Sequence, residues 1–255
     1  SLELQAERAE LLTAGGYPVD WLDGAWSCGR CRDTGYVEGH MCQCLRELYD
    51  AQRAKALSAL LKLGDERFEA FDLSYYSDAV DPARGASDRA QMEKLYRVCV
   101  NYARTFGAGS RNLLFRGEPG LGKTFLSACI ARVVSEKGFS VVYETTVDAL
   151  AAYEAQKFRP SEEADDRVER LTDCELLILD DLGTEMVTEF SRSALYTLIN
   201  MRLLSGRKTI ISTNLTADAM ARIYTPQICS RLEGEYQDLP FVGTDIRIQK
   251  KERGL

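Results

Sequence analysis

Gly117-Glu118-Pro119-Gly120-Leu121-Gly122-Lys123-Thr124 decides the reading of this chain. It fits G-x-x-x-x-G-K-[ST], a loop whose backbone N–H groups wrap nucleotide phosphates. The flanks fit as well. Asn112 to Arg116 is a short apolar run readable as a buried strand, and Phe125 to Val134 carries Leu126, Ile130, Val133 and Val134 at helical spacing. Glycines admit the phosphates to close range, and the following helix aims N–H groups and partial positive charge at them. The loop and the adjacent Phe125 are therefore expected to bind the nucleotide. Lys123 would reach the β- and γ-phosphates, and the Thr124 hydroxyl would bind Mg²⁺.

The strands around the loop alternate with helices. Phe139 to Glu144 reads as a second strand, Glu175 to Asp181 as a third, Lys208 to Asn214 as a fourth and Leu239 to Val242 as a fifth. Helices are expected over Ser87 to Gly107, Thr146 to Phe158 and Thr188 to Leu204. Such alternation predicts an α/β fold, a parallel sheet in a three-layer sandwich. Asp180 and Asp181 end the third strand at its carboxyl edge, where open α/β sheets bind ligands. Phosphoryl transfer needs charge and positioning from the protein, so Asp180 is assigned to the metal and Asp181 to the attacking water. Asn214 ends the fourth strand, from which an amide could reach the γ-phosphate; alone it would be an ordinary turn residue.

Ahead of the core, Cys28-Gly29-Arg30-Cys31 is followed by Cys42-Gln43-Cys44, with His40 just before the second pair. Four thiolates in that space suit tetrahedral zinc, and His40 is the alternative fourth ligand. A redox dithiol, an iron–sulfur site and unrelated free thiols compete with that reading. A structural zinc would supply on the order of 10 kcal/mol to a segment too small to fold alone. Trp21, Leu22 and Trp26 read as a small local core. Leu45 to Leu63 reads as an amphipathic helix, either packed on the metal module or docking a partner.

The expected organisation is residues 1–64 as a zinc module, 65–86 as a linker marked by Pro82, Gly85 and Ser87, and 87–255 as the nucleotide-binding domain. A net charge of −7 argues against bulk coating of nucleic acid, although it leaves room for a local basic groove. No stretch approaches the roughly 18 apolar residues of a membrane span. The start has no basic or apolar leader, and eight cysteines without a secretory signal read as thiols or metal ligands. A cytoplasmic protein is the economical expectation.

The loop, Leu176-Leu177-Ile178-Leu179-Asp180-Asp181-Leu182-Gly183-Thr184-Glu185, Ile211 to Leu215, Ser230-Arg231-Leu232 and Phe241-Val242-Gly243-Thr244-Asp245-Ile246-Arg247 together resemble the DnaC/DnaI-type replicative helicase loaders of bacteria. These are AAA+ ATPases. Cys28-x-x-Cys31-x-Asp33-Thr34-Gly35-Tyr36 is similar to the zinc-binding, helicase-contacting module of the DnaI-type members. The resemblance implies a five-stranded sheet of order 5-1-4-3-2 and ATP bound between subunits of a homo-oligomeric ring or spiral. It implies loading of the hexameric replicative helicase onto single-stranded DNA, with Arg231 as arginine finger and Arg247 as second sensor. Composition alone would make Arg231 a surface arginine. Two departures stand out: Asp181 replaces the glutamate of many AAA+ proteins, and only 24 residues follow Arg231. An IstB-type transposition ATPase shares the core, and a metal-organised adaptor that binds ATP without turnover is the third reading. For DNA, Lys157, Phe158 and Arg159 put an aromatic ring beside two cations. A solvated helix end, or the basic tail of Arg247, Lys250, Lys251 and Arg253, would explain those residues equally.

Overall fold

The computed structural model describes residues 2–19, 26–49 and 66–254. The chain divides into two compact units, residues 1–52 and 53–255.

In the first unit, helix α1 (Leu2–Ala14) stops at Gly15-Gly16. Gly16 is left-handed at φ 80°, and the Tyr17 N–H reaches back to the Leu12 carbonyl at 2.9 Å, a glycine-dependent helix closure. Strands β1 (Tyr36–Val37) and β2 (His40–Met41) pair antiparallel. Glu38 and Gly39 between them take φ 51° and 80°, the double positive φ that a tight hairpin turn requires. Residues 43–49 are helical (α2). The remainder of the helix read to Leu63 lies outside the described residues, as do Trp21 and Leu22; Trp26 is exposed.

The second unit begins with two short 3-10 turns, Phe68–Ala70 and Leu73–Tyr75. Hairpin strands β3 (Val80–Asp81) and β4 (Ala86–Ser87) lead into α3 (Asp88–Thr105). Then follow β5 (Asn112–Arg116), α4 (Lys123–Glu136), β6 (Val141–Thr145), α5 (Thr146–Phe158), α6 (Glu162–Asp173), β7 (Leu176–Leu182) and α7 (Glu189–Leu204). The chain continues through β8 (Lys208–Thr213), α8 (Ala217–Ile223), α9 (Pro226–Glu235), β9 (Tyr236–Pro240) and α10 (Ile246–Glu252). The larger strands form one sheet, β6-β7-β8-β5-β9, with every pair parallel. From the β9 edge this is the expected order 5-1-4-3-2.

Side-chain alternation explains the three layers. Leu113, Phe115, Ile178 and Ile210 face the core under α3 and α4, whereas Leu114, Leu177, Leu179 and Ile211 face that under α5 to α9. Central strands buried on both faces read as unbroken apolar runs. The edge strand β9 is different: it starts at Tyr236, ahead of the expected Leu239, because Gln237 and Asp238 mask it in the sequence. The Phe241 N–H bonds the Arg116 carbonyl of β5 at 2.7 Å. Alternation then turns Pro240 outward, where its missing N–H blunts the open edge.

Residues 66–76 pack against the first core. Phe68 and Tyr76 are buried there, and the Tyr76 hydroxyl donates to the Leu121 carbonyl of the phosphate loop at 3.0 Å.

Arg202 on α7 is fully buried. Nε donates to Thr209 Oγ1 (3.0 Å), Nη1 to the Leu171 and Thr172 carbonyls (2.8 and 3.0 Å) and Nη2 to the Lys208 carbonyl (2.6 Å). It thus satisfies the open carbonyls at the end of α6 and ties them to α7 and β8. Arg202→Met should cost about 3–5 kcal/mol, because it leaves several buried carbonyls unsatisfied at roughly 1–3 kcal/mol each. Urea unfolding with an unchanged slope would show it. A loss below about 1 kcal/mol, the scale of one ordinary hydrogen bond, would contradict this role.

Candidate functional site

The phosphate loop joins β5 to α4, and three of its glycines are left-handed: Gly117 (φ 155°), Gly120 (75°) and Gly122 (89°). A Cβ on Gly117 would stand 2.5 Å from the Phe241 carbonyl oxygen, and one on Gly120 would stand 2.0 Å from Asp245 Oδ1. Packing from behind therefore demands glycine as firmly as the backbone twist does. Gly122 is the N-cap of α4 and offers no side-chain cap, so the first N–H groups of α4 stay available to an acceptor in front of them.

Lys123 is buried, and its Nζ donates to the Gly117 and Glu118 carbonyls at 2.6 and 2.7 Å and to Asn214 Oδ1 at 2.7 Å. Burial holds its pKa below the ordinary lysine value, against the opposing pull of Asp181, Asp180 and Glu118. The two aspartates part ways. β7 continues beyond Asp180 through an irregularity in its pairing with β8, and Asp181 sits there at φ 57°. That bulge turns Asp181 into the cleft. Asp180 is buried beneath, accepting from the Tyr143 hydroxyl at 2.8 Å and from the Ser212 hydroxyl. Desolvation and then Asp180 raise the Asp181 pKa, while Lys123 and Arg247 oppose them.

The cleft encloses ≈ 360 Å³, and its lining includes Lys123, Thr124, Asp181, Asn214 and Arg247. It also includes Glu66, Phe71, Asp72 and Tyr75, all from the stretch expected as linker. Four aromatic residues, Phe68, Phe71, Tyr75 and Tyr76, more than a linker carries, were the available signal. Helix α10 closes the cleft's other wall. The Ile246 N–H bonds the Gly120 carbonyl at 3.0 Å, and Asp245 caps α10 through the Arg247 N–H at 2.8 Å. A glycine cradle, a buried lysine, a helix N-terminus and a carboxylate suit a nucleoside triphosphate with its metal.

Arg231 is not among the residues lining this cleft. It is half-buried on α9, and its Nη2 donates to Asn200 Oδ1 at 3.0 Å. Lys157 lies over the rings of Phe158 (5.6 Å) and Phe190 (5.0 Å), and Phe158 is 62% exposed. Arg159 is the C-cap of α5. Within the basic tail, Arg253 and Lys250 lie over the Tyr75 ring at 4.6 and 5.8 Å.

In the first unit, the sulfurs of Cys28, Cys31, Cys42 and Cys44 all lie within 4.8 Å of one another. Cys28 and Cys42 are 3.8 Å apart, Cys31 and Cys44 3.4 Å. Tetrahedral zinc–thiolate bonds of ~2.3 Å place sulfurs about 3.8 Å apart, so the cluster can hold zinc. His40 is exposed in β2 and is not part of the group. Asp33 accepts from the Ser27 and Cys28 N–H groups at 2.9 and 2.8 Å and fixes the first knuckle. The Cys31 and Arg30 backbone N–H groups lower the Cys28 thiol pKa to about 6, which favours the thiolate that a metal needs. The neighbouring thiols of Cys31 and Cys28 push Cys44 upward.

Fold and cleft together define an AAA+-type ATP-binding domain. Residues 87–229 match the family of IstB-like ATP binding proteins, and the chain belongs to that family, which implies an ATPase. The replicative helicase loader DnaC of Escherichia coli (strain K12) is 25% identical over 132 residues, 51% of this chain and 54% of that protein. The uncharacterized protein YdaV of the same strain is 28% identical over 124 residues, 49% of this chain and 50% of that one. The chain thus spans about half the length of the curated relatives it matches. A crystal structure of the DnaC helicase loader aligns with TM-score 0.54 at 21% identity, over 60% of this chain and 90% of that one. AMPPCP-bound DnaA from Aquifex aeolicus aligns with TM-score 0.56 at 18% identity, over 76% and 57%. Among the described residues, no helix is long and apolar enough to cross a membrane.

Proposed function

We propose that this chain is an ATP-driven loader that delivers a hexameric replicative helicase to single-stranded DNA in the cytoplasm. The observation that carries the reading is a four-cysteine cluster in the same chain as an AAA+ cleft related to DnaC. Residues 1–64 act as the zinc-held, helicase-contacting module, 65–86 join it to the core and also wall the nucleotide cleft, and 87–255 supply the phosphate loop and turn over ATP.

In the catalytic domain the phosphate loop and Lys123 bind the triphosphate. Thr124 and Asp180 would hold the accompanying magnesium, which would supply positive charge against the phosphates. Asp180 suits that task because Tyr143 and Ser212 lock its carboxylate, while each oxygen keeps lone pairs for a metal-bound water. Asp181 orients and deprotonates the attacking water. Its raised pKa brings it nearer the range of a working base. Asn214, now bonded to Lys123, turns to the γ-phosphate. Arg247 reports the nucleotide to α10, and Arg231 completes the site of a neighbouring copy. Lys157, Phe158 and Arg159 track the DNA strand, the exposed ring offering a base a face to stack on.

Asp181→Asn should slow turnover by about 10²–10⁴, the usual share of a general base, while ATP affinity stays within a few-fold. The variant should also melt higher. The native Asp181 pKa lies above its unfolded value, so folding is favoured while the group is protonated and loses that advantage as pH rises through the raised pKa. Unchanged turnover would remove Asp181 from the mechanism.

The function itself is tested with purified hexameric replicative helicase and circular single-stranded DNA. The full chain with ATP should capture helicase and transfer it to the circle, and Cys31→Ser should abolish capture. Failure to bind helicase, together with binding to a transposase–DNA complex, would favour the IstB-type transposition helper, a reading supported by the family match itself.

A further inference from the structure

We infer that Glu66 reads the nucleotide base, selecting adenine through its exocyclic amino group; the inference rests on the cleft being an ATP site. Glu66 lines the cleft, and its Oε2 is buried with no hydrogen-bond partner among the described residues. A buried carboxylate oxygen without a donor is destabilising, so such an atom at a ligand site marks where a ligand donor belongs.

The surroundings fit a base. The Glu66 carbonyl accepts from Arg132 Nε at 3.1 Å. Arg132 lies nine residues along α4 from Lys123, about 13 Å up the helix axis, so Glu66 sits towards the end of the cleft remote from the phosphate loop. Phe71 and Phe125, 5.9 Å apart ring to ring, line the same cleft, and Tyr75 adds a further ring. These are apolar walls for a flat heterocycle. The other acid of that wall, Asp72, already accepts from the Ser74 N–H at 2.8 Å. Of the two, Glu66 is the acid left with a buried, unpaired oxygen. The C6 amino group of adenine donates to such an oxygen. The C6 carbonyl of guanine would meet it acceptor to acceptor, which is the kind of mismatch that discriminates most strongly.

The test is equilibrium binding, read by competition against a fluorescent ATP analogue, of ATP, GTP and purine riboside triphosphate, which lacks only the C6 amino group. The native full chain should prefer ATP over purine riboside triphosphate by about 10–100-fold, the worth of a hydrogen bond to a charged acceptor. GTP should bind more weakly still. Glu66→Ala should bring the ATP preference to within about threefold of unity. Glu66→Gln, which keeps a neutral acceptor and the side chain's volume, should fall between. A purely structural Glu66 would weaken every nucleotide alike and leave the ratios unchanged. That outcome, or a native preference below about threefold, overturns the proposal. ATP binding without base preference sinks only the role of Glu66, whereas no ATP binding at all sinks the nucleotide site with it.

Discussion

Stripping the metal from the four-cysteine cluster is expected to unfold residues 26–49. Among those residues only Cys31, Gly35 and Cys42 are buried, and two-residue strands with a seven-residue helix cannot supply a core of their own. Two of the three buried positions are ligands. The hairpin, the Asp33 knuckle and α2 therefore depend on a bond network centred on the sulfurs, and a structural zinc contributes on the order of 10 kcal/mol in comparable modules. Elemental analysis should give one zinc per chain. A high-affinity chelator should release it and collapse the module, seen as loss of amide protection over residues 26–49, while the sheet unit keeps its own melting transition. Cys31→Ser should do the same without chelator. A module that keeps its protection without metal, or a chain purified with none, would show that the sulfurs gather for another reason.

Replacing Arg231 is expected to abolish turnover while sparing nucleotide affinity. An arginine supplied to a γ-phosphate from a neighbouring protein is worth roughly 10³–10⁵ in rate. Arg231 lies on α9 and outside its own cleft. α8 and α9 are tied to the end of β7, where the Tyr224 hydroxyl donates to Glu185, and Glu185 in turn accepts from the Gly183 N–H at 2.8 Å. A nucleotide bound by one copy could thus be completed by a rigid arginine from the next. Arg231→Ala should turn over ATP at least about 10³-fold more slowly with ATP affinity little changed. Mixing it with Lys123→Ala should restore activity, because some interfaces then pair a sound cleft with a sound arginine. Full turnover by Arg231→Ala, or no recovery on mixing, would remove it from the mechanism.

The parts of this fold that were legible are those where one physical demand acts alone. β5, β7 and β8 are buried on both faces and so spell themselves as apolar runs. The glycines, Lys123 and the twin aspartates follow from the chemistry of phosphate. What stayed hidden answered to tertiary context. β9 buries Tyr236 in the core under α5 to α9 and Leu239 in the one under α3 and α4, with the polar Gln237 and Asp238 between them, so its period dissolves into apparent loop. The turns from Phe68 to Tyr75 have neither helical nor strand periodicity, and the cleft wall they build depends on long-range contacts such as that of Tyr76 with the phosphate loop. The separation of Asp180 and Asp181 depends on a single-residue irregularity in β7, which the string of letters does not encode. For the cysteines, spacing left His40 open as a ligand; the four sulfurs gather without it, and His40 lies exposed in β2.

The account's central claim is that a triphosphate occupies the cleft between the phosphate loop, Asp181 and α10. It is tested most directly by titrating native protein and Lys123→Ala with ATP and magnesium in a calorimeter. The expected result is one ATP per native chain and an affinity loss of about 100-fold in the variant, the cost of deleting one side of a buried charged contact. Equal affinity in the two proteins, or no heat of binding in the native one, would contradict it.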